Sequence, residues 1–443
     1  MLLTLLMMAS LLIGVSLTEG SQITKGALQA TIEPNTTYYV TTEEDEPAVD
    51  RGGLCGNPCT LRGAVAASNY PPGGKIILPS GTYTLTYGSL VTERNIEVVG
   101  DGADVTIIHV EFKPFNIFSI RDTSKLTLSD VALTGGSAVN GGALENQGDL
   151  TLIRSVVAEN EATVGGGIWN EGALTLMDSM VVRNSASEND GGITNLGTTS
   201  LIQSTVSDND GEVGAGGIAN FGTLNVYSST IEYNRGGDGG GLKNLGDLFL
   251  DSSTVSGNEV FGNGGGLYND AGYVKMINST LSGNTADNGG GIYNQGASTI
   301  WITSATIANN SAASEGGGIF IGGGAGLVLR NTILSANAGE NCHGIFGTVT
   351  NILVSSNDCN LTGTVIVADP QLGDLQDNGG PTETHALLDG SPALKAVPGE
   401  DCIDFSGQPL LTDQRGMPRI EGERCDIGAY ELTYSRFLPL ITR

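Results

Sequence analysis

Seven times between Asn146 and Asn294 the chain repeats one phrase: a glycine pair or triplet, an aliphatic residue, any residue, then Asn. The asparagines are Asn146, Asn170, Asn195, Asn220, Asn244, Asn269 and Asn294, so the steps are 24 or 25 residues. An eighth copy, Gly316-Gly317-Gly318-Ile319, places Ile321 where the Asn belongs. A period this regular marks a solenoid, in which one supersecondary unit stacks on the next.

Aligned copies share further columns. Two residues before the Asn stand Leu144, Ile168, Ile193, Ile218, Leu242, Leu267 and Ile292. After it comes Asn-X-Gly in six of the seven copies, a pair of residue types that tolerates positive φ in tight turns. Then follow an aliphatic column (Leu152, Leu176, Leu201, Val226, Leu250, Met276, Ile302) and a serine column (155, 179, 204, 229, 253, 279). A second aliphatic column runs Val157, Val181, Val206, Ile231, Val255, Leu281, Ile307, and a second Asn column runs 160, 184, 209, 234, 258, 284, 310. Short segments that alternate and are rich in Val, Ile and Thr read as strands, and glycine at this frequency opposes helix. Three strands in about 25 residues, repeated in register, predict one coil of a right-handed parallel β-helix, with equivalent residues about 4.8 Å apart. The aliphatic columns then fill the interior and the Asn columns become amide ladders. A leucine-rich-repeat solenoid has a similar length, but no stretch here has a 3.6-residue period. The 67 glycines alone would suit disorder, yet the regular apolar columns call for a packed interior.

Outside the repeats, residues 2–17 form an apolar run, and residues 1–20 are expected to be a signal peptide. No Lys or Arg precedes Lys25, so an uncleaved membrane anchor is the competing reading. No other stretch is apolar and long enough to span a bilayer. The six cysteines form local pairs, 55/59, 342/359 and 402/425, and an even count behind an export signal suggests disulfides. Zinc is disfavoured, because the three histidines are scattered. The expected organisation is an N-terminal cap over 21–74, irregular first coils over 75–125, regular repeats over 126–337, and irregular last coils with a C-terminal region over 338–443. That makes 11 or 12 coils, with the cysteine-bearing segments covering the exposed strand edges at the ends.

Three stretches resemble known families. Gly141–Leu144 and its Gly-Gly-Gly-Ile relatives followed by Asn resemble the repeats of polymorphic outer-membrane proteins, although the Phe-x-x-Asn partner is replaced by Ser-x-x-x-x-Asn. Val40-Thr41-Thr42, Cys55 and Cys59-Thr60-Leu61-Arg62-Gly63-Ala64-Val65 look like a CSLREA domain, with Gly63 where that motif has Glu. Asp369-Pro370-Gln371-Leu372, Asp377–Thr382, His385, Gly390–Ala393, Asp413–Gly416 and Cys425–Glu431 are similar to the choice-of-anchor Q domain. These resemblances imply a secreted or surface-displayed prokaryotic protein and assign no chemistry.

Function is less legible. A lyase of the pectin-lyase-like fold needs carboxylates holding Ca²⁺ beside an Arg or Lys base, and a glycoside hydrolase needs converging carboxylates. Basic residues in the repeats are few, and the sequence pattern leans against an enzyme. The loop between the second Asn column and the next glycine pair carries Glu161, Asp190, Glu212, Asp238, Asp287 and Glu315. Variable loops on one side of a solenoid are its usual binding surface. These residues are therefore expected to stack as an acidic edge, either solvated or binding Ca²⁺ or a cationic partner. A net charge of −28 argues against nucleic acid. The expected role is a non-catalytic adhesin or glycan binder at the cell surface. A polysaccharide lyase or hydrolase is the alternative, and a structural surface-layer component is a third.

Overall fold

A computed structural model describes residues 36–47, 52–111, 114–419 and 424–433. The expected signal peptide lies outside them. The chain winds as a right-handed parallel β-helix. One coil shows how. Ile168–Asn170, Ala173–Met177, Met180–Val182 and Ser185–Ala186 follow one another, and each pairs in parallel with its equivalent one coil away. We call the four stacks ladders a, b, c and d. They make three sheets, because ladders b and c belong to one 25-stranded sheet while ladder a has 11 strands and ladder d has 8. Eleven rungs span about 50 Å.

The corner between ladders b and c is a single residue in the left-handed region, for example Arg154, Asp178, Gln203 and Ser228, and that between c and d is another, for example Glu159, Arg183, Asp208 and Tyr233. One residue at positive φ turns the chain sharply without a loop. The next residue points inward and carries the repeat's serine or second asparagine. Each Oδ1 of that Asn column accepts from the backbone N–H and the amide of the preceding rung: Asn184 from Asn160 at 3.1 and 2.9 Å, Asn209 from Asn184 at 3.0 and 3.0 Å. In the first Asn column, from Asn146 to Asn294, the side-chain amide alone of each rung donates to the next Oδ1. It stops at Ile321, where the Asn294 amide instead donates to Gly326 O at 3.1 Å. The amides are buried and hydrogen-bonded along the stack, Asn146 Oδ1 on the first rung being left without a partner. The glycine pairs have a steric reason: a Cβ on Gly192 would lie 2.4 Å from the Gly217 carbonyl oxygen of the next coil.

The aliphatic columns form one continuous interior. At its N-terminal end sits a helix, Leu61–Ser68, capped by Thr60, whose hydroxyl accepts from Gly63 at 3.0 Å. Leu61, Ala64 and Val65 close the core beside the Cys55–Cys59 disulfide. The far end is finished by the Cys342–Cys359 disulfide, with Val349 and Leu361 in the core. The third bridge, Cys402–Cys425, stands elsewhere. From about Leu372 the chain folds back and lies along the outer face of ladder c. Expected at an end, this segment instead covers a flank.

That docking is polar and specific. Gln414 bridges two rungs: its Nε2 donates to Thr254 Oγ1 at 2.8 Å, and its Oε1 accepts from Thr280 Oγ1 at 2.6 Å. Gly373 O can only accept, so His385 Nδ1 carries the proton and Nε2 accepts from Ser282 Oγ, at 2.8 and 2.9 Å. Arg419 pairs with Glu431 at 3.0 Å, fully buried, and reaches Asn278 Oδ1 at 3.0 Å.

Candidate functional site

Ladder d is left open over part of its length. Its strands alternate: Ala162 and Ala186 point inward, while Ser137, Glu161, Ser185 and Asp210 stand in one outward column. Two residues further along lie Thr163, Ser187 and Glu212. Together with Ala138 they line an open groove of about 570 Å³. Small inward residues let these strands lie close to the core, which makes the face concave. The outward side chains of the lining are three carboxylates and four hydroxyls, from Ser137, Thr163, Ser185 and Ser187. No Lys, Arg or His contributes to it.

The expected acidic edge is thus only partly assembled. Glu161 and Glu212 both line the groove, two rungs apart, as does Asp210. Asp190 is not on the edge at all. It is 4 % exposed, and its carboxylate accepts from Thr194 Oγ1 at 2.8 Å and from Ala215 N at 3.0 Å. Burial raises its pKa, against the pull of those two hydrogen bonds and of Lys243. Asp238 is half-buried and holds a turn, accepting from Asn263 N at 2.8 Å. Asp287 accepts from Ser314 at 2.9 Å. Glu315 pairs with His343 at 3.3 Å. Ladder register gives the reason for the scatter. With Glu161, Ser185, Asp210, Arg235, Thr285 and Ser311 on one column, Asp190 lies five residues past it, Asp238 three, Glu212 and Asp287 two, and Glu315 four. Asp210 directly follows the Asn column, as Glu161 does. Counting from that column would have found it.

Among the described residues no three His, Cys, Asp or Glu side chains converge as a metal-ligand group. The bases of the stack are mostly engaged away from the groove. Arg154 pairs with Asp130 at 2.6 Å and Arg183 with Glu159 at 3.1 Å, each across one rung at a corner. Lys243 lies 5.8 Å from the Tyr268 ring centre. His109 contacts Thr134, and the other two histidines are placed above.

A second outward feature is the row Tyr268, Tyr293, Phe320 and His343 on ladder a. Its rings are nearly parallel, with centres 5.5, 4.7 and 5.3 Å apart. Their faces are turned to one another along the axis and are used up in stacking. Burial, reinforced by Asp270 and Asp238, pushes the Tyr268 hydroxyl up to about 12. This row stabilises ladder a by ring stacking.

No family model matches the chain, and no curated protein matches it either. Solved structures do. The pectate lyase Pel9A superposes with a TM-score of 0.52 over 91 % of this chain and 98 % of its own, at 17 % identity. The A-module of the Azotobacter vinelandii mannuronan C-5 epimerase AlgE6 matches with a TM-score of 0.47 over 70 % of this chain and 91 % of its own, at 16 % identity. The similarity to the pectate lyase is one of fold: a parallel β-helix of about 11 turns. No helix among the described residues is long and apolar enough to cross a membrane.

Proposed function

We propose that the protein is an exported, non-catalytic β-helix that binds a polysaccharide at the cell surface, along the groove of ladder d. The observation that carries this reading is the groove's lining. Carboxylates accept hydrogen bonds from sugar hydroxyls, and Ser and Thr exchange them. Three disulfides fit an oxidising compartment. The sequence resemblances to surface-displayed repeats and to an anchor domain favour the same address. The pectate lyase that shares the fold has a polysaccharide substrate by its name, which supports a polysaccharide partner here without assigning a reaction.

The second reading, a polysaccharide lyase, is favoured by that shared fold. It is disfavoured by the groove's lining, which holds no Lys, Arg or His to take a proton from a sugar carbon; Arg235 stands one rung past Asp210, outside that lining. One experiment separates the two. The mature chain is applied to a glycan array with and without Ca²⁺, and the bound glycans are assayed for unsaturated products. Retention without products is the expected result. Unsaturated products would replace binding with catalysis, and no retention would remove both.

A further inference from the structure

We infer that the glycan is a neutral linear chain lying along the helix axis, and that Phe261, backed by Arg235, is a stacking platform for one of its sugar rings beyond the groove. This inference rests on the groove being the glycan site.

Ladder d does not stop where the groove does. Its outward column continues from Asp210 to Arg235 to Glu259, one rung at a time. Val260 takes the buried position, so alternation turns Phe261 outward, where it is 74 % exposed. Single exposed apolar residues are ordinary on protein surfaces and need no ligand. Phe261 differs in two respects. The Arg235 guanidinium lies 4.9 Å from its ring centre, on the groove side, which holds the ring in place. The ring also shares the groove's own face, two rungs or about 10 Å past Asp210. The intervening position is Gly237, packed against the backbone of Val213, itself 62 % exposed. The path from groove to ring is thus lined by a glycine and an aliphatic side chain, with Arg235 beside it.

This contrasts with ladder a, whose rings stack on one another. The face of Phe261 turned away from Arg235 has no ring on it among the described contacts. An aromatic face carries negative quadrupole density and attracts the polarised C–H groups of a pyranose. The charge pattern selects the polymer. Three carboxylates in the groove repel a polyuronate, and Arg235 alone, flanked by Asp210 and Glu259, does not reverse that field. A neutral chain meets no such penalty. Its repeat along the axis lets hydroxyls meet the groove while a later ring reaches Phe261.

The test is calorimetric titration with a size series of cello-oligosaccharides, with oligogalacturonates as the anionic contrast. The proteins are the full mature chain, Phe261→Ala, Phe261→Trp and the double variant Glu161→Gln/Glu212→Gln. The double variant should weaken binding at every length. Phe261→Ala should weaken only the longer oligomers, by roughly three- to tenfold, and Phe261→Trp should restore them. Unfolding midpoints of the Phe261 variants should be unchanged, since the ring is outside the core. Equal affinities of Phe261→Ala and the parent at all lengths, with the double variant still impaired, would overturn the platform and leave the groove standing. Tighter binding of oligogalacturonates without divalent cation would overturn the neutral-chain assignment. No binding of any oligomer by the parent would overturn both the platform and the groove.

Discussion

Ladders c and d present similar chemistry outward and are treated differently by the same chain. Ladder c shows Thr254, Thr280, Thr306 and Ser282, and the C-terminal segment lies on them with Gln414, Ala429 and His385 as partners. Ladder d shows Ser137, Ser185 and Ser187 with Glu161, Asp210 and Glu212, and the groove they line stays open. The difference is in the carboxylates. A hydroxyl column is satisfied by a neutral amide and an imidazole from within the chain. A carboxylate column covered in that way would bury charge without a cation, at a cost of several kcal/mol. Ladder d is left to water or to a ligand rich in hydroxyl donors.

The covered flank can be broken first. Arg419→Met leaves Glu431 buried and unpaired, and should cost about 3–5 kcal/mol, measured by denaturant unfolding. The expected signature is loss of protection at residues 372–419, with the stack intact. Inside the stack, Ile218→Ala should cost on the order of 2–5 kcal/mol, because Ile218 is fully buried in the ladder a column. An unchanged midpoint would contradict the column assignment. Gln414→Leu removes the bridge between two rungs and leaves the Thr280 hydroxyl without its partner, while Thr254 keeps the Glu383 carbonyl, a loss of about 1–3 kcal/mol.

The same flank should respond to pH. Asp251 precedes Ser252, whose carbonyl accepts from Thr382 of the docked segment at 3.2 Å. Burial raises the Asp251 pKa from 3.8 to about 6. Its charged form is therefore disfavoured in the folded state, and stability should fall as pH rises through that interval. His385 is shifted the other way by burial, so its contribution is lost as pH falls below 6.5. Asp251→Asn should remove the fall between pH 3.8 and about 6, so that the midpoint rises more steeply with pH through the interval below 6.5 that His385 governs. A profile identical to that of the parent would separate the docking from this carboxylate.

How much of this was legible depends on whether a contact repeats. The columns through Leu176, Val181, Ile193 and Asn184 are visible in one dimension because stacking turns a sequence period into a contact. The pairing of Cys342 with Cys359 and of Cys402 with Cys425 was legible as proximity in sequence. The helix Leu61–Ser68 was not read, though Leu61, Ala64, Val65 and Ser68 have helical spacing and Thr60 caps it. The fold-back could not be read, since Gln414 meets Thr254 across 160 residues with no repeat to announce it. The acidic edge is only partly legible: Glu161 and Glu212 share the groove, while Asp190 and Asp238 do not, because position on a solenoid face is set by register counted from the preceding inward Asn and not by neighbourhood in sequence.

The central claim is that the open face of ladder d is where a glycan lies. Its most direct test is perturbation mapping: methyl and amide signals, or hydrogen exchange, of the mature chain with and without a saturating neutral oligosaccharide. The account predicts changes confined to rungs containing Glu161, Ser185, Asp210 and Phe261, with ladder c and the docked segment silent. Changes centred on the Tyr268–His343 row of ladder a, with ladder d silent, would contradict it.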